Sequence, residues 1–158
     1  WERVEPGCRF VRTPLSGGWG SGADRSGFNA SGDLMTTAKL WPFCVEVKRR
    51  EGWTPKTLFA GRASPVWGWW QQACEAADNQ NAEALLVFRR NGEPWRAMMW
   101  HQAGKATARA ALKKHGVVLV SPIPLQVGSL PTRAWSPVRV MLLDELLAAM
   151  VARDPRTR

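Results

Sequence analysis

The sequence predicts an α/β fold: a mixed β-sheet flanked by helices within a single domain. Three observations point there. The periodic segments run strand, strand, strand, helix, strand, strand, and then a helical and mixed tail. The stretch 42–50, "PFCVEVKRR", alternates with the two-residue period of a strand. Ser64 and Pro65 then supply an N-cap and a first helical residue, and "VWGWWQQACEAADN" continues the helix.

The elements follow in order. Residues 8–15, "CRFVRTPL", alternate well enough for a short strand. Residues 16–32 are rich in glycine and read as a surface loop, the usual place for binding groups. Asp33 to Thr37 is a second strand candidate. In the third strand, Phe43, Val45 and Val47 share one face, while Cys44, Glu46 and Lys48 share the other. Residues 52–63 carry Gly, Thr and Pro signals and read as a loop. After the helix, "EALLVFRR" is a buried strand, Asn91-Gly92 a hairpin turn and "PWRAMMW" its partner. Residues 103–115 look helical, with Gly116 as the stop. "VVLVSPI" is a strand candidate, residues 121–137 are a proline-rich loop, and "VRVMLL" is a further strand candidate. It leads into a C-terminal helix with Asp144 as its N-cap. No repeat or boundary breaks the chain, so residues 1–158 read as one domain.

Composition narrows the class of partner. The formal net charge is +9 and the isoelectric point about 10.5. Charge of this sign on one domain points to a polyanion, and the abundance of arginine suits bidentate phosphate contacts. Cys8, Cys44 and Cys74 show no CxxC spacing, which argues against a zinc site or a disulfide framework and favours a reducing cytoplasm. No signal peptide is visible, and the most apolar run, "MLLDELLAAMVA", is interrupted by Asp144 and Glu145. A membrane-spanning role is therefore not expected. Ten tryptophans against no tyrosine is unusual. Some belong in the core and others can stack on bases or cover a partner.

The strongest chemical signal lies in residues 30–53. Asp33 sits in a glycine turn at the head of one strand. Glu46 and Lys48 are two apart on the next, so they point the same way. If those strands are neighbours, Asp33 meets Glu46 at one end of the sheet. Two carboxylates and the backbone carbonyl of Val47 would make a set of hard oxygen donors for Mg²⁺. Lys48 beside them can orient a water and offset charge on a phosphate. Taken alone, Glu46 and Lys48 read equally well as an exposed ion pair, and Asp33 as a turn residue. Cys44 shares their face, but a thiol avoids Mg²⁺ and reads as a packing residue. His101 and His115 have no ligand-spaced partner. The arginines Arg9, Arg12, Arg25, Arg49, Arg50, Arg62, Arg89 and Arg90 flank this group in sequence and are candidates for phosphate contacts.

Asp33, a gap, and then Glu46-x-Lys48 between apolar residues resembles the PD-(D/E)XK nuclease superfamily. Within it, "FVRTPLSGG", "SGD", "VEVKRR" and "LLVFRRNGEPWRAMM" are most similar to the archaeal and bacteriophage type of Holliday junction resolvase. The resemblance covers about residues 8–100 and leaves 101–158 as a C-terminal extension. It implies a restriction-endonuclease-like fold and a homodimer that resolves four-way DNA junctions in recombination and repair. Cleavage would be by Mg²⁺-dependent phosphodiester hydrolysis, with Mn²⁺ as a substitute. Asp33, Glu46 and Val47 would hold the metal, and Asp33, Glu46 and Lys48 would be catalytic. The family's helix glutamine falls on Gln72 or Gln71, and its loop serine on Ser16 or Ser21. The family's further glutamate, in a helix before the first strand, would fall before Trp1, since Glu2 and Glu5 lie too close to that strand. The implied setting is the cytoplasm of a bacterial or archaeal cell, with a phage gene as one source. Two other readings stay open: another nuclease of the superfamily, of repair, replication or restriction type, and an inactive DNA-binding protein.

Overall fold

The computed structural model describes residues 7–13, 29–39, 41–59, 64–101, 116–120 and 137–151. Ser16, Arg25, Arg62, His115, the helix expected over 103–115 and the proline-rich stretch 121–136 lie outside the described residues.

Strands β1 (Phe10–Arg12), β2 (Asn29–Ser31) and β3 (Leu34–Thr36) form an antiparallel sheet in the order β1-β3-β2. Strand β2 lies at the end of the stretch expected to be loop. Its register, Ser31 opposite Leu34, leaves only Gly32 and Asp33 to make the turn. A two-residue hairpin needs positive φ at its first central position, and Gly32 supplies +65°.

The main sheet has the order β4-β5-β6-β8-β7. Its strands are β4 (Phe43–Arg49), β5 (Glu83–Arg89), β6 (Arg96–Trp100), β7 (Val117–Leu119) and β8 (Val138–Leu142). Strands β4 and β5 are parallel and the other pairs are antiparallel, so the sheet is mixed. A parallel pair needs a long crossover. Helices α1 (Pro55–Phe59) and α2 (Pro65–Asp78) lie within it. With helix α3 (Leu143–Val151) they complete the α/β architecture of a restriction-endonuclease-like fold. Strand β8, from beyond residue 100, lies inside this sheet between β6 and β7.

Helix α2 starts as its chemistry predicts. Ser64 is extended, and its hydroxyl accepts the amide of Val66 at 3.4 Å. Helix α1 sits in a stretch read as loop from its Thr and Pro residues. Those residues in fact build its start. The Thr57 amide donates to Thr54 Oγ1 and the Thr54 amide to Thr57 Oγ1, both at 3.1 Å, with Pro55 at the first helical position. Leu58 then anchors the helix in the core. Helix α3 begins at Leu143, two residues earlier than a cap at Asp144 would place it, so Asp144 is not its cap. Glu145, in the third helical position, reaches back to accept the Leu142 amide at 3.2 Å, which is half of a capping box.

Both faces of the sheet carry core residues, and α2 packs on one of them. On β4, Phe43, Val45, Val47 and Arg49 face one way and Cys44, Glu46 and Lys48 the other. The register puts Leu86, Phe88, Met98 and Trp100 on the face of Glu46 and Lys48. Trp70 of α2 meets Trp100 edge-on at 5.0 Å, and Trp53 meets Phe88 at 4.9 Å, so this is the face that α2 covers. Edge contacts of this kind add about 0.5–1.5 kcal/mol each beyond the area they bury. Trp41 stands between Phe10 and Phe43, at 5.1 and 5.4 Å, and ties the small sheet to β4. The described tryptophans are therefore packing residues. Trp53, Trp67, Trp70 and Trp100 are buried, and Trp41, Trp69 and Trp95 lie half-buried against them.

Candidate functional site

The tight turn between β2 and β3 docks onto the free edge of β4. Gly32 pairs with Val45, and the Asp33 amide donates to the Val45 carbonyl at 2.7 Å. The Asp33 carboxylate then accepts the Val47 amide at 2.8 Å through Oδ2. Asp33 thus bonds the residue before Glu46 and the residue after it, and stands opposite Glu46 across the two chains. Residue 32 must be glycine for this approach. A Cβ there would lie 2.2 Å from the Val45 carbonyl oxygen, where the neighbour is backbone and cannot step aside.

Thr13 fixes the turn from behind. Its hydroxyl donates to the Gly32 carbonyl and its amide to the Asp33 carbonyl, both at 3.0 Å. It is one of few buried polar residues among those described. Sequence reading did not single it out. A threonine closing a short strand carries no chemical signature until the partner turn is in place.

Glu46 and Lys48 form an ion pair at 2.6 Å. Their side chains are only 17% and 24% exposed, so this is no solvated surface pair. Cys44, the residue before them on that face, is fully buried and acts as packing. Because the Val47 amide points at Asp33, its carbonyl leaves β4 on the same free edge. Asp33, Glu46, Val47 and Lys48 thus form one contiguous group at the C-terminal half of β4.

The other candidates lie elsewhere. Gln72 is exposed on α2 and is not among the residues the helix buries, and among the described residues no hydrogen bond joins it to the group. Gln71 is used within the helix, donating to Glu75 at 3.0 Å. Arg9 and Arg12 are exposed on and beside β1. Arg49 and Arg50 are exposed at the end of β4, where Arg49 Nε donates to Asn91 Oδ1 at 2.8 Å. His101 is not isolated, since its Nδ1 lies 3.1 Å from the guanidinium of buried Arg139.

A second acid–base pair closes the sheet just beyond Arg50. Glu51 accepts Arg90 Nε at 3.0 Å and the Asn91 amide at 2.9 Å, which staples the end of β4 to the β5–β6 turn. The Asn91 amide and then the Arg90 guanidinium hold the Glu51 carboxyl below the usual carboxylate value.

Among the described residues no cluster of three or more Asp, Glu, His or Cys side chains could hold a metal ion. The group offers two carboxylates and one backbone carbonyl. All are hard oxygen donors, and Mg²⁺ is commonly held by one or two carboxylates with water and substrate phosphate filling its other positions. The donor chemistry therefore fits Mg²⁺.

A mixed sheet with a carboxylate turn docked beside Glu-x-Lys defines a restriction-endonuclease-like α/β protein. The family model described as "Phage putative PDDEXK endonuclease" matches residues 4–121, and the chain belongs to that family. Membership supports nuclease activity with DNA as the substrate. No curated protein and no solved structure matches the chain. No helix among the described residues is long and apolar enough to cross a membrane.

Proposed function

We propose that this chain is a Mg²⁺-dependent, structure-selective endodeoxyribonuclease that resolves four-way DNA junctions as a homodimer. Residues 1–158 are read as one nuclease domain working in the cytoplasm of a bacterial or archaeal host. The observation that carries the reading is the Asp33 carboxylate locked onto the Val47 amide beside Glu46 and Lys48.

In this reading Asp33, Glu46 and the Val47 carbonyl hold the cation. Bound Mg²⁺, or Mn²⁺ in its place, supplies Lewis-acid polarisation of the scissile phosphate and lowers the pKa of an attacking water. The chain's own residues do the rest. The β4 backbone fixes Asp33, so the donor set is preorganised before substrate arrives. The ammonium of Lys48 leaves Glu46 to face the phosphate, where it offsets developing charge and orients the water. Gln72 and Ser16 are assigned supporting catalytic roles from the family resemblance. Arg9, Arg12, Arg25, Arg49, Arg50 and Arg62 contact the phosphate backbone, which makes binding salt-dependent.

The test offers the protein labelled four-way junction, linear duplex and single-stranded DNA with Mg²⁺, alongside Asp33→Asn and Glu46→Gln. Paired symmetric nicks in the junction, lost in both variants, support the reading. Cleavage of all three substrates alike shifts it to a repair, replication or restriction-type nuclease of the same family. Binding without cutting in either Mg²⁺ or Mn²⁺ would leave a DNA-binding protein and sink both.

A further inference from the structure

Arginines crowd the C-terminal ends of β4 and β5, and they divide into two kinds. Arg90 donates to Glu51 at 3.0 Å and Arg96 to Glu93 at 3.1 Å, so each sits against a carboxylate. Neither Arg49 nor Arg89 forms an ion pair among the described residues. Arg49 hydrogen-bonds a neutral partner, the Asn91 side-chain oxygen at 2.8 Å, and acts on Glu51 only through space, without an ion pair. Arg89 lies over the Trp95 ring, 4.5 Å from its centre, and its Nε is buried without a hydrogen-bond partner.

The sheet register places these two arginines directly opposite each other. They share a face, on strands about 4.8 Å apart. Like charges at paired positions are unfavourable, and a buried, unsatisfied N–H of a charged group adds to the cost. An anion seated between them relieves the repulsion, held by the outer N–H groups of the two guanidiniums. A guanidinium presents two parallel N–H groups in the geometry a phosphate accepts. Trp95 beneath Arg89 and Asn91 beside Arg49 hold the forks in place, which reduces the entropy lost on binding.

We propose that Arg49 and Arg89 form a phosphate clasp for the DNA backbone, on the face of the sheet opposite Glu46 and Lys48. DNA held there and cut at the Asp33 group touches both sides of the rim where β4 and β5 end. The proposal rests on the reading of the chain as a DNA nuclease and adds a second, non-cleaving contact to it. What it adds to the two arginines is their pairing across the strands around one phosphate.

The experiment measures binding of a fluorescently labelled duplex by the full chain carrying Asp33→Asn, across a series of salt concentrations. Adding Arg89→Gln should weaken binding about tenfold at low salt and lower the slope of log K against log salt by about one. Arg49→Gln, on an exposed side chain that the fold tolerates losing, should do the same. Arg89→Lys should keep the slope and regain only part of the affinity, since it keeps charge but loses the fork. Arg90→Gln, whose charge Glu51 already occupies, should bind within about twofold of the parent. Unchanged slopes in Arg89→Gln and Arg49→Gln, or losses no larger than in Arg90→Gln, would overturn the clasp. Binding by the Asp33→Asn parent tests the nuclease reading separately. If the parent binds no DNA, both fall. If it binds and the arginine variants match it, only the clasp does.

Discussion

Two acid–base pairs stand near the end of β4, and they teach different things. Glu46–Lys48, at 2.6 Å, points under α2 and is mostly shielded from solvent. Glu51–Arg90, at 3.0 Å, is more exposed, with side chains 52% and 33% accessible. In sequence the two acids are five positions apart, and Glu46 alone of the two opens a Glu-x-Lys pattern. Their surroundings separate them. Glu51 spends both oxygens on a turn, one on Arg90 and one on the Asn91 amide. Glu46 lies opposite a second carboxylate that the backbone holds in place through the Val47 amide. The neighbouring carboxylate is what makes Glu46–Lys48, and not Glu51–Arg90, the candidate for chemistry.

The sharpest way to break this comparison is to remove a carboxylate from each side. Asp33→Asn or Glu46→Gln should lower the rate of DNA cleavage by about 10³-fold or more, since the charge stabilisation a metal supplies is worth several kcal/mol and each 1.4 kcal/mol is tenfold. Glu51→Gln should cleave within about twofold of the parent. Rates on a labelled junction under single-turnover conditions decide it. Equal losses from Glu46→Gln and Glu51→Gln would erase the distinction.

Gly32→Ala comes next. It forces a side chain into positive φ, a strain of about 1–3 kcal/mol, and puts a Cβ against the Val45 carbonyl. The turn must lift off β4 and carry Asp33 with it. Cleavage should fall about 10²-fold or more, and the thermal midpoint should drop by several degrees. Calorimetry beside the cleavage assay checks both. Normal cleavage by this variant would show that Asp33 need not be held against Val47.

Thr13→Val sharpens the comparison more gently. It keeps shape and removes the hydroxyl that donates to the Gly32 carbonyl, a bond worth about 1 kcal/mol. The Mg²⁺ concentration for half-maximal cleavage should rise several-fold, and Thr13→Ser should restore it. A metal titration reads this directly. A lowered melting point with an unchanged titration would make Thr13 structural alone.

The legible and the illegible parts of this fold have physical causes. Strand β4 was readable because "FCVEVKRR" alternates cleanly, and α2 because Ser64 and Pro65 punctuate its start. The glycine turn before Asp33 was readable as a turn, while its meeting with β4 could enter only as a condition on which strands are neighbours. Docking onto β4 is a contact between residues 32 and 45, and nothing local in either segment encodes it. Helix α1 was hidden because Thr54, Pro55 and Thr57 serve equally in loops and caps, and only the buried Leu58 decides between them. Strand β2 was hidden because "NAS" has no strand propensity and pairs by virtue of the turn that follows. The Asp33 carboxylate and the Glu46–Lys48 pair could be nominated from spacing. The groups that fix this candidate site, the Thr13 hydroxyl and amide and the Val47 amide, are backbone and hydroxyl groups, which leave almost no trace in a sequence.

The smallest expected effect lies in the Glu51 staple, and it separates structure from chemistry by pH. Its carboxyl is held below the ordinary value of 4.5 by the Asn91 amide first and Arg90 second. A group whose pKa is lower folded than unfolded stabilises the folded state above the unfolded value and loses that contribution as pH falls through the folded one. The wild-type chain should therefore shed a small part of its stability on the acid side of 4.5 that Glu51→Gln, lacking the titration, does not shed. The side chain is exposed, so the difference in melting temperature should be at most a degree or two at neutral pH and vanish in acid. Salt should shrink it further, because the pair is open to counter-ions. Thermal midpoints of the two proteins, taken in parallel from neutral to acid pH, give the result. A gap that widens as the pH falls would mean that Glu51 is buried or paired differently in solution, and the contrast with Glu46 would need another basis.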